Sequence, residues 1–289
     1  MRPASIAVVG ATDRPGSYGA QALLNLDAIG FPGPVWGVNP GRASVLGRAC
    51  VPSLADLPEA VDAVVIAIPA AGVPAAVEEA GARGCGGVVV FSAGFAEVAG
   101  GVGLQSDLAA AAARHGLPVC GPNCNGIVAM HARAALWGDA LAPREPGAVA
   151  LISQSGNVAV NALATRRGLR FHTVVASGNQ AVLSAAEYLE FLASDPGVVE
   201  SDPGVVAIDP GVVERDPGVR AVALYLEDDG GPGLCDALAV CAESGVRVVV
   251  LKVGSSAAGA NAAAAHSGAL AGDQRIFRAD RGGRRGVGG

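Results

Sequence analysis

Apolar positions along this chain gather in short continuous runs rather than in strict alternation. In the first half the runs Ser5–Val9, Val35–Val38, Ala63–Ile68, Gly87–Phe91 and Leu117–Cys120 read as strands, and Ala-rich stretches such as Tyr18–Ile29, Gly72–Arg83 and Gly103–His115 read as helices between them. A strand that is apolar throughout is covered on both faces. Such runs therefore predict parallel strands with helices packed on either side. Strands alternating with helices predict a doubly wound α/β fold.

Pro143–Gly147 reads as a linker. A second α/β set follows, with strands at Ala148–Ile152, His172–Ala176, Arg220–Leu226 and Arg247–Lys252 and helices near Asn157–Arg167, Leu183–Ala193 and Leu234–Glu243. The expected organisation is one domain over residues 1–143 and a second over 147–279, with an irregular tail over 280–289. Within the second domain, Asp-Pro-Gly-Val recurs at Asp195, Asp202, Asp209 and Asp216. Pro and Gly in each unit rule out a coiled-coil heptad, so 195–219 is expected to be a duplicated segment that lengthens a surface loop. The tail from Arg278 is rich in Arg and Gly and reads as frayed, beyond a helix that starts at Gln274–Ala279.

With 289 residues, 51% of them apolar and 16% charged, the chain can bury two sizeable cores. The net charge of −6 and the scarcity of aromatics argue against a nucleic-acid partner. No apolar run reaches the roughly 18 residues of a membrane span, and no secretory n-region precedes Ser5, so a cytoplasmic protein is expected. The six cysteines lack a neighbouring His that would complete a zinc site, and buried reduced thiols are the expectation. Nineteen basic residues are Arg and a single one is Lys, Lys252. Either chance or a need for a compact ammonium explains that exception.

Three strand ends carry the candidate chemistry. After the first strand, Gly10-Ala-Thr-Asp-Arg-Pro-Gly16-Ser17-Tyr18-Gly19 leads into a helix. Glycines allow a pyrophosphate close to the backbone, and a helix start offers free N–H groups. The spacing is not G-x-G-x-x-G, and the second strand ends in Asn39-Pro40-Gly41-Arg42 rather than in an acid that grips a ribose, which disfavours NAD. Arg42 instead suits a ligand with an additional phosphate, such as CoA or NADP. Ser92–Glu97 and Cys120–Gly126 follow two further strands and are expected to meet the same crevice.

Taken together, Gly10–Gly19, Val38-Asn39-Pro40, Ser92–Glu97 and Gly121-Pro122-Asn123-Cys124 resemble the CoA-binding domain of NDP-forming acyl-CoA synthetases. The resemblance continues through Leu151–Gly156, Ser177-Gly178-Asn179, Leu224–Glu227, Lys252–Ser255 and His266–Gly272. It implies a Rossmann-like CoA-binding domain followed by a flavodoxin-like domain of the succinyl-CoA-synthetase type, both with mainly parallel sheets. It also implies a ligase that makes acyl-CoA reversibly from acid, CoA and ATP. The phosphoryl group would pass through an acyl phosphate and a phosphohistidine, His266, on a loop that swings to an ATP-grasp β-type subunit or domain. ATP or ADP with magnesium would sit on that partner. The acyl partner would be a small carboxylic acid or its acyl-CoA.

By the same resemblance, Glu227 would orient the imidazole, and Ser153, Ser155 and Gly156 would hold the phosphate. Gly10, Gly16, Ser17, Gly19, Asn39, Arg42, Ser92, Gly94 and Asn123 would surround coenzyme A. The residue types suit these tasks. Imidazole accepts a phosphoryl group near neutral pH, a carboxylate can fix its tautomer, and a Gly/Ala/Ser-rich stretch such as Gly254–Ala265 suits a moving loop. Cys124 is expected to pack a turn rather than to meet the CoA thiol, and His115, His131 and His172 are expected to be structural. Ser267 stands where the family more often has Thr. No Walker A sequence and no ATP-grasp domain is present, and the resemblance stops soon after the histidine. The competing reading is a CoA or acyl-CoA sensor without chemistry, or a truncated remnant.

Overall fold

The computed structural model describes residues 1–194 and 218–253. Most of the repeat insertion, His266 with its flanking stretches, the helix expected at Gln274–Ala279 and the Arg/Gly tail lie outside the described residues. Within them the chain forms β1 (Ile6–Val9), α1 (Tyr18–Ile29), β2 (Val35–Val38), β3 (Ser44–Val45), β4 (Arg48–Val51), β5 (Ala63–Ile66), α2 (Val73–Arg83), β6 (Val88–Val90), α3 (Val102–His115) and β7 (Val119–Cys120). There follow β8 (Gly126–Ala129), β9 (Ala134–Trp137), β10 (Val149–Ser153), α4 (Gly156–Ala164), β11 (Phe171–Ala176), α5 (Ala185–Ser194), β12 (Ala221–Leu226), α6 (Leu234–Glu243) and β13 (Arg247–Lys252).

The first sheet has the order β3-β4-β2-β1-β5-β6-β7, parallel except for the β3–β4 hairpin. The second has the order β13-β12-β10-β11-β8-β9, in which β13, β12, β10 and β11 are parallel and β8 and β9 antiparallel. The expected mainly parallel α/β architecture is thus present twice. Strands β1, β5 and β6 are buried almost throughout, as continuous apolar runs between two helical layers should be.

The passage between sheets comes earlier in the chain than the Pro143–Gly147 linker. The β8–β9 hairpin pairs with β11, from Thr173 opposite Ala129 to Ala176 opposite Gly126, so the chain already enters the second sheet at Gly126. Pro143–Gly147 instead joins β9 to β10 within that sheet. A segment of the second half returns to the first sheet. The amides of Leu183, Ala181 and Asn179 donate to the carbonyls of Val119, Gly121 and Pro122 at 3.3, 3.0 and 2.9 Å. This irregular segment covers the open edge of β7, which would otherwise present unpaired backbone groups.

One buried apolar cluster runs through both sheets, from Leu23 and Leu26 of α1 past Val89 and Cys120 to Leu136, Tyr188 and Leu192. Each fully buried Leu in it contributes about 1.5–3 kcal/mol. Asn25 is the polar anchor of this arrangement and is 1% exposed. Its Nδ2 donates to the carbonyls of Trp137 and Asp139 at 2.8 and 2.7 Å, and its Oδ1 accepts from the Leu141 amide at 3.2 Å. Asn25→Ala leaves these backbone groups without partners and is expected to lower stability by about 3 kcal/mol in urea unfolding. A loss under about 1 kcal/mol would show that the hairpin does not depend on this anchor.

Candidate functional site

The first cluster lies beyond the carboxyl ends of β1, β2 and β5. A cleft of about 430 Å³ there is lined by residues including Gly10, Asn39, Pro40, Ser53, Ile68 and Gly72. Gly10 has φ +86°, and a Cβ on it would stand 2.4 Å from the Ala67 carbonyl oxygen. Gly19 approaches so closely that its Cβ would lie 2.2 Å from the Gly10 carbonyl oxygen. These two glycines let the start of α1 pack against the end of β1 and the loop between them lie close to the end of β5. Ser17 caps α1, accepting from the Ala20 amide at 3.4 Å and donating to the Arg14 carbonyl at 2.8 Å, and the first turn of the helix carries no acidic residue. Gly16 faces open space.

Asn39 is committed to the loop. Its Nδ2 donates to the Ala11 carbonyl at 2.8 Å and its Oδ1 accepts from the Gly41 amide at 2.9 Å. Arg42 pairs with Asp13 at 2.8 Å, with both side chains about half exposed. Such an exposed pair is worth about 0–1 kcal/mol, so a phosphate can displace the carboxylate. Ser92 Oγ donates to the carbonyl of Ile68, a cleft residue, at 2.5 Å. The Asn123 amide N–H donates to the Ser92 carbonyl at 2.9 Å, and its side chain donates to Asn179 Oδ1 at 3.2 Å. The loop glycines, an acid-free helix start and a cation at the rim fit a phosphate-bearing ligand such as CoA.

The second cluster lies beyond β10 and β12. Ser153 Oγ donates to the Ser155 carbonyl at 2.8 Å and accepts the Ser155 amide at 3.1 Å, which folds the turn into α4. Ser177 Oγ donates to the Ser153 carbonyl at 3.2 Å. Gly156, the first residue of α4, leaves room for the Asn125 side chain, because a Cβ there would fall 2.0 Å from Asn125 Oδ1 and force that side chain to shift. Glu227 follows β12 and is 8% exposed, and its buried Oε2 has no hydrogen-bond partner among the described residues.

Gln154 joins the two strand ends. Its Oε1 accepts from the amides of Glu227 and Asp228 at 2.5 and 3.1 Å, and its Nε2 donates to Asp228 Oδ1 at 2.5 Å. Lys252 Nζ donates to the Glu227 carbonyl at 3.2 Å. The structure therefore brings Glu227 beside the Ser153–Gly156 turn. His266 is outside the described residues.

Sequence reasoning missed Gln154, Glu97 and Asn179. Glu97 Oε1 accepts the amides of Gly94 and Phe95 at 2.5 and 3.1 Å, and its Oε2 accepts Asn179 Nδ2 at 2.5 Å. The available signal was its position, three residues after Gly94 in a turn-rich strand end. Cys124 is buried, and desolvation pushes its thiol well above the ordinary range, as a packing residue requires. His131 and His172 stack with centroids 3.9 Å apart, and His115 pairs with Glu78 at 2.7 Å, away from both clusters.

Burial pushes the Glu97 carboxyl up, but the donors from Gly94, Asn179 and Phe95 outweigh it and hold it below the usual glutamate value. Because the folded value is the lower one, the ionised group stabilises the fold above the unfolded value of about 4.3, and that contribution is lost as pH falls through the folded value. The urea midpoint gap between the wild type and Glu97→Gln is expected to be widest near neutral pH and to narrow below about pH 4. A gap that stays constant from pH 7 to pH 3 would contradict this.

Among known families, the CoA binding domain matches residues 4–130, and the succinyl-CoA ligase like flavodoxin domain matches 146–199 and 211–280. The second match skips part of the Asp-Pro-Gly-Val repeat. The chain is 36% identical over 282 residues to an ADP-forming acetate–CoA ligase I of Archaeoglobus fulgidus, covering 96% of this chain and 37% of that protein. It is 32% identical over 291 residues to the alpha subunit of ADP-forming acetate–CoA ligase I of Pyrococcus furiosus, covering 96% and 57%. A solved acetyl-coenzyme A synthetase 1 of Ca. Korarchaeum cryptofilum, described as dinucleotide forming and in complex with phosphate and ADP, superposes with a TM-score of 0.79 at 31% identity, covering 96% of this chain and 56% of that one. The chain thus spans between about a third and just over half of these relatives. Two sheets with these loops at their strand ends and two family domains in this order make the chain a member of the NDP-forming acyl-CoA synthetase family, of which it carries the CoA binding domain and the succinyl-CoA ligase like flavodoxin domain.

Proposed function

We propose that this chain is the CoA-binding, phosphohistidine-carrying half of an NDP-forming acyl-CoA synthetase and that it works with an ATP-grasp partner. The observation that carries the reading is Glu227. Its buried Oε2 lacks a donor, beside a helix-start turn built from Ser153, Ser155 and Gly156. A buried acceptor without a partner is uncommon in a native fold. An imidazole N–H from His266 is the donor that this chemistry calls for, and its other ring nitrogen would then face the turn.

In the direction of acyl-CoA breakdown, a phosphate oxygen attacks the thioester carbonyl and the CoA thiolate leaves, giving an acyl phosphate. The His266 ring nitrogen next attacks phosphorus and the carboxylate leaves. ADP then takes the phosphoryl group from the histidine on the partner, giving ATP. Gly16, Ser17, Arg42, Ser92 and Gly94 would contact CoA, with Gly10, Gly19, Asn39 and Asn123 shaping the loops that do so. Glu227 would fix the imidazole tautomer, as a carboxylate does for a catalytic histidine. The nucleotide and its magnesium would be held by the partner, and the acyl substrate would be a small carboxylic acid.

Incubation of the full chain with acetyl phosphate labelled in its phosphoryl group should give an acid-labile, base-stable label. That label should vanish in His266→Ala and form at least about tenfold more slowly in Glu227→Gln. CoA binding in calorimetry with no such label, even with an ATP-grasp chain of the family and labelled ATP, would reduce the protein to a CoA-binding module.

A further inference from the structure

We propose that Glu97 is a positioning residue for CoA, and that it holds the Ser92–Phe95 loop of the first sheet in its binding shape only because Asn179, in the segment that follows β11 of the second sheet, holds Glu97. The inference rests on the reading that CoA occupies the crevice at that loop. Gly94 has φ +108°, a conformation that a free loop would leave readily, and two amides in a row, those of Gly94 and Phe95, are tied to one carboxylate oxygen. The other oxygen is claimed by Asn179 Nδ2. That amide group also donates to Gln105 Oε1 at 3.0 Å, and the same Gln105 oxygen accepts the Ala96 amide at 3.3 Å. The Asn179 backbone is itself fixed, since its amide donates to the Pro122 carbonyl.

On the other side, Asn179 lies two residues after Ser177, whose hydroxyl reaches the Ser153 carbonyl of the phosphate turn. The geometry therefore makes the loop of one sheet a fixture of the other. A carboxylate is required for this. With Glu97→Gln, one side-chain oxygen can still serve the two amides, but the new NH₂ group then confronts the NH₂ group of Asn179. Asn179→Asp alone sets two carboxylates face to face. Made together, the two changes restore a donor opposite an acceptor.

CoA titrations of the full chain by calorimetry should show each single variant binding CoA about tenfold or more weakly. The double variant Glu97→Gln/Asn179→Asp should bind more tightly than either single one. Single variants within twofold of the wild type, or a double variant as weak as the product of the two, would overturn the proposal. A second measurement stands apart from CoA. In ligand-free protein, Asn179→Ala should speed hydrogen exchange at the Gly94 and Phe95 amides by about tenfold, read by NMR, while the amides of β1 keep their protection. Unchanged exchange at those two amides sinks the positioning role. Faster exchange in Asn179→Ala, together with a wild-type chain that binds no CoA, would instead sink the CoA reading and leave the hold of Asn179 on the loop standing.

Discussion

The edge of β7 is the constraint on which the rest of the arrangement depends. A parallel sheet that ends in a strand of two residues leaves donors and acceptors exposed, and here the segment leading from β11 to α5 covers them. The approach is backbone against backbone. A Cβ at Gly178 would stand 2.3 Å from the Pro122 carbonyl oxygen, and one at Gly121 would stand 2.6 Å from that of Val90. Those glycines let the carboxyl ends of β7 and β11 meet, so that Asn123 and Asn179 touch. The loops that follow β7 and β11 are thereby held side by side.

How much of this could be read beforehand divides along physical lines. Buried parallel strands such as Ile6–Val9 and Val88–Val90 announce themselves, because burial on both faces demands an unbroken apolar run. The helix ends were equally legible where glycine closes them, as Gly30 does for α1 with φ +70°. The β8–β9 hairpin was not legible. Its strands are four residues each, wholly buried, and follow a Gly-Pro-Asn turn that reads simply as loop. Its allegiance to the second sheet is a long-range pairing with β11 that no local pattern encodes. For the same reason the passage from the first sheet to the second, at Gly121–Asn125, comes ahead of the Pro143–Gly147 linker.

The candidate site shows a similar split. Residues whose backbone makes the site were readable as motifs: Gly10, Gly19, Ser153 and Gly156 sit where strand ends become helix starts. Residues that act by reaching across were not. Gln154 bonds two amides more than seventy positions away, and Glu97 bonds Asn179 more than eighty away. Arg42, which suits a ligand with an additional phosphate, is paired with Asp13 in this structure. That partner shares the glycine-rich loop, so a ligand phosphate arriving there would compete with Asp13 for the guanidinium rather than meet a vacant one.

Electrostatics at the second cluster narrows what the turn can do on the proposed relay. Three carboxylates in a row, Glu227, Asp228 and Asp229, follow β12, and a phosphoryl group held nearby adds to the negative charge. Two like unit charges about 6 Å apart repel by about 3 kcal/mol at an effective dielectric of 20. A helix start returns about 0.3–2 kcal/mol, which does not offset the repulsion by itself. Part of the balance comes from Lys252, the chain's single lysine, whose Nζ donates to the Glu227 carbonyl. Asp228 is drawn off by the Gln154 amide and the Gly230 N–H. What remains unbalanced is Glu227 itself. A phosphate that entered alone would be repelled by it, whereas an imidazole that enters with its phosphoryl group brings an N–H for that same oxygen. On the proposed relay, the turn would thus hold phosphate on a histidine better than phosphate free in solution.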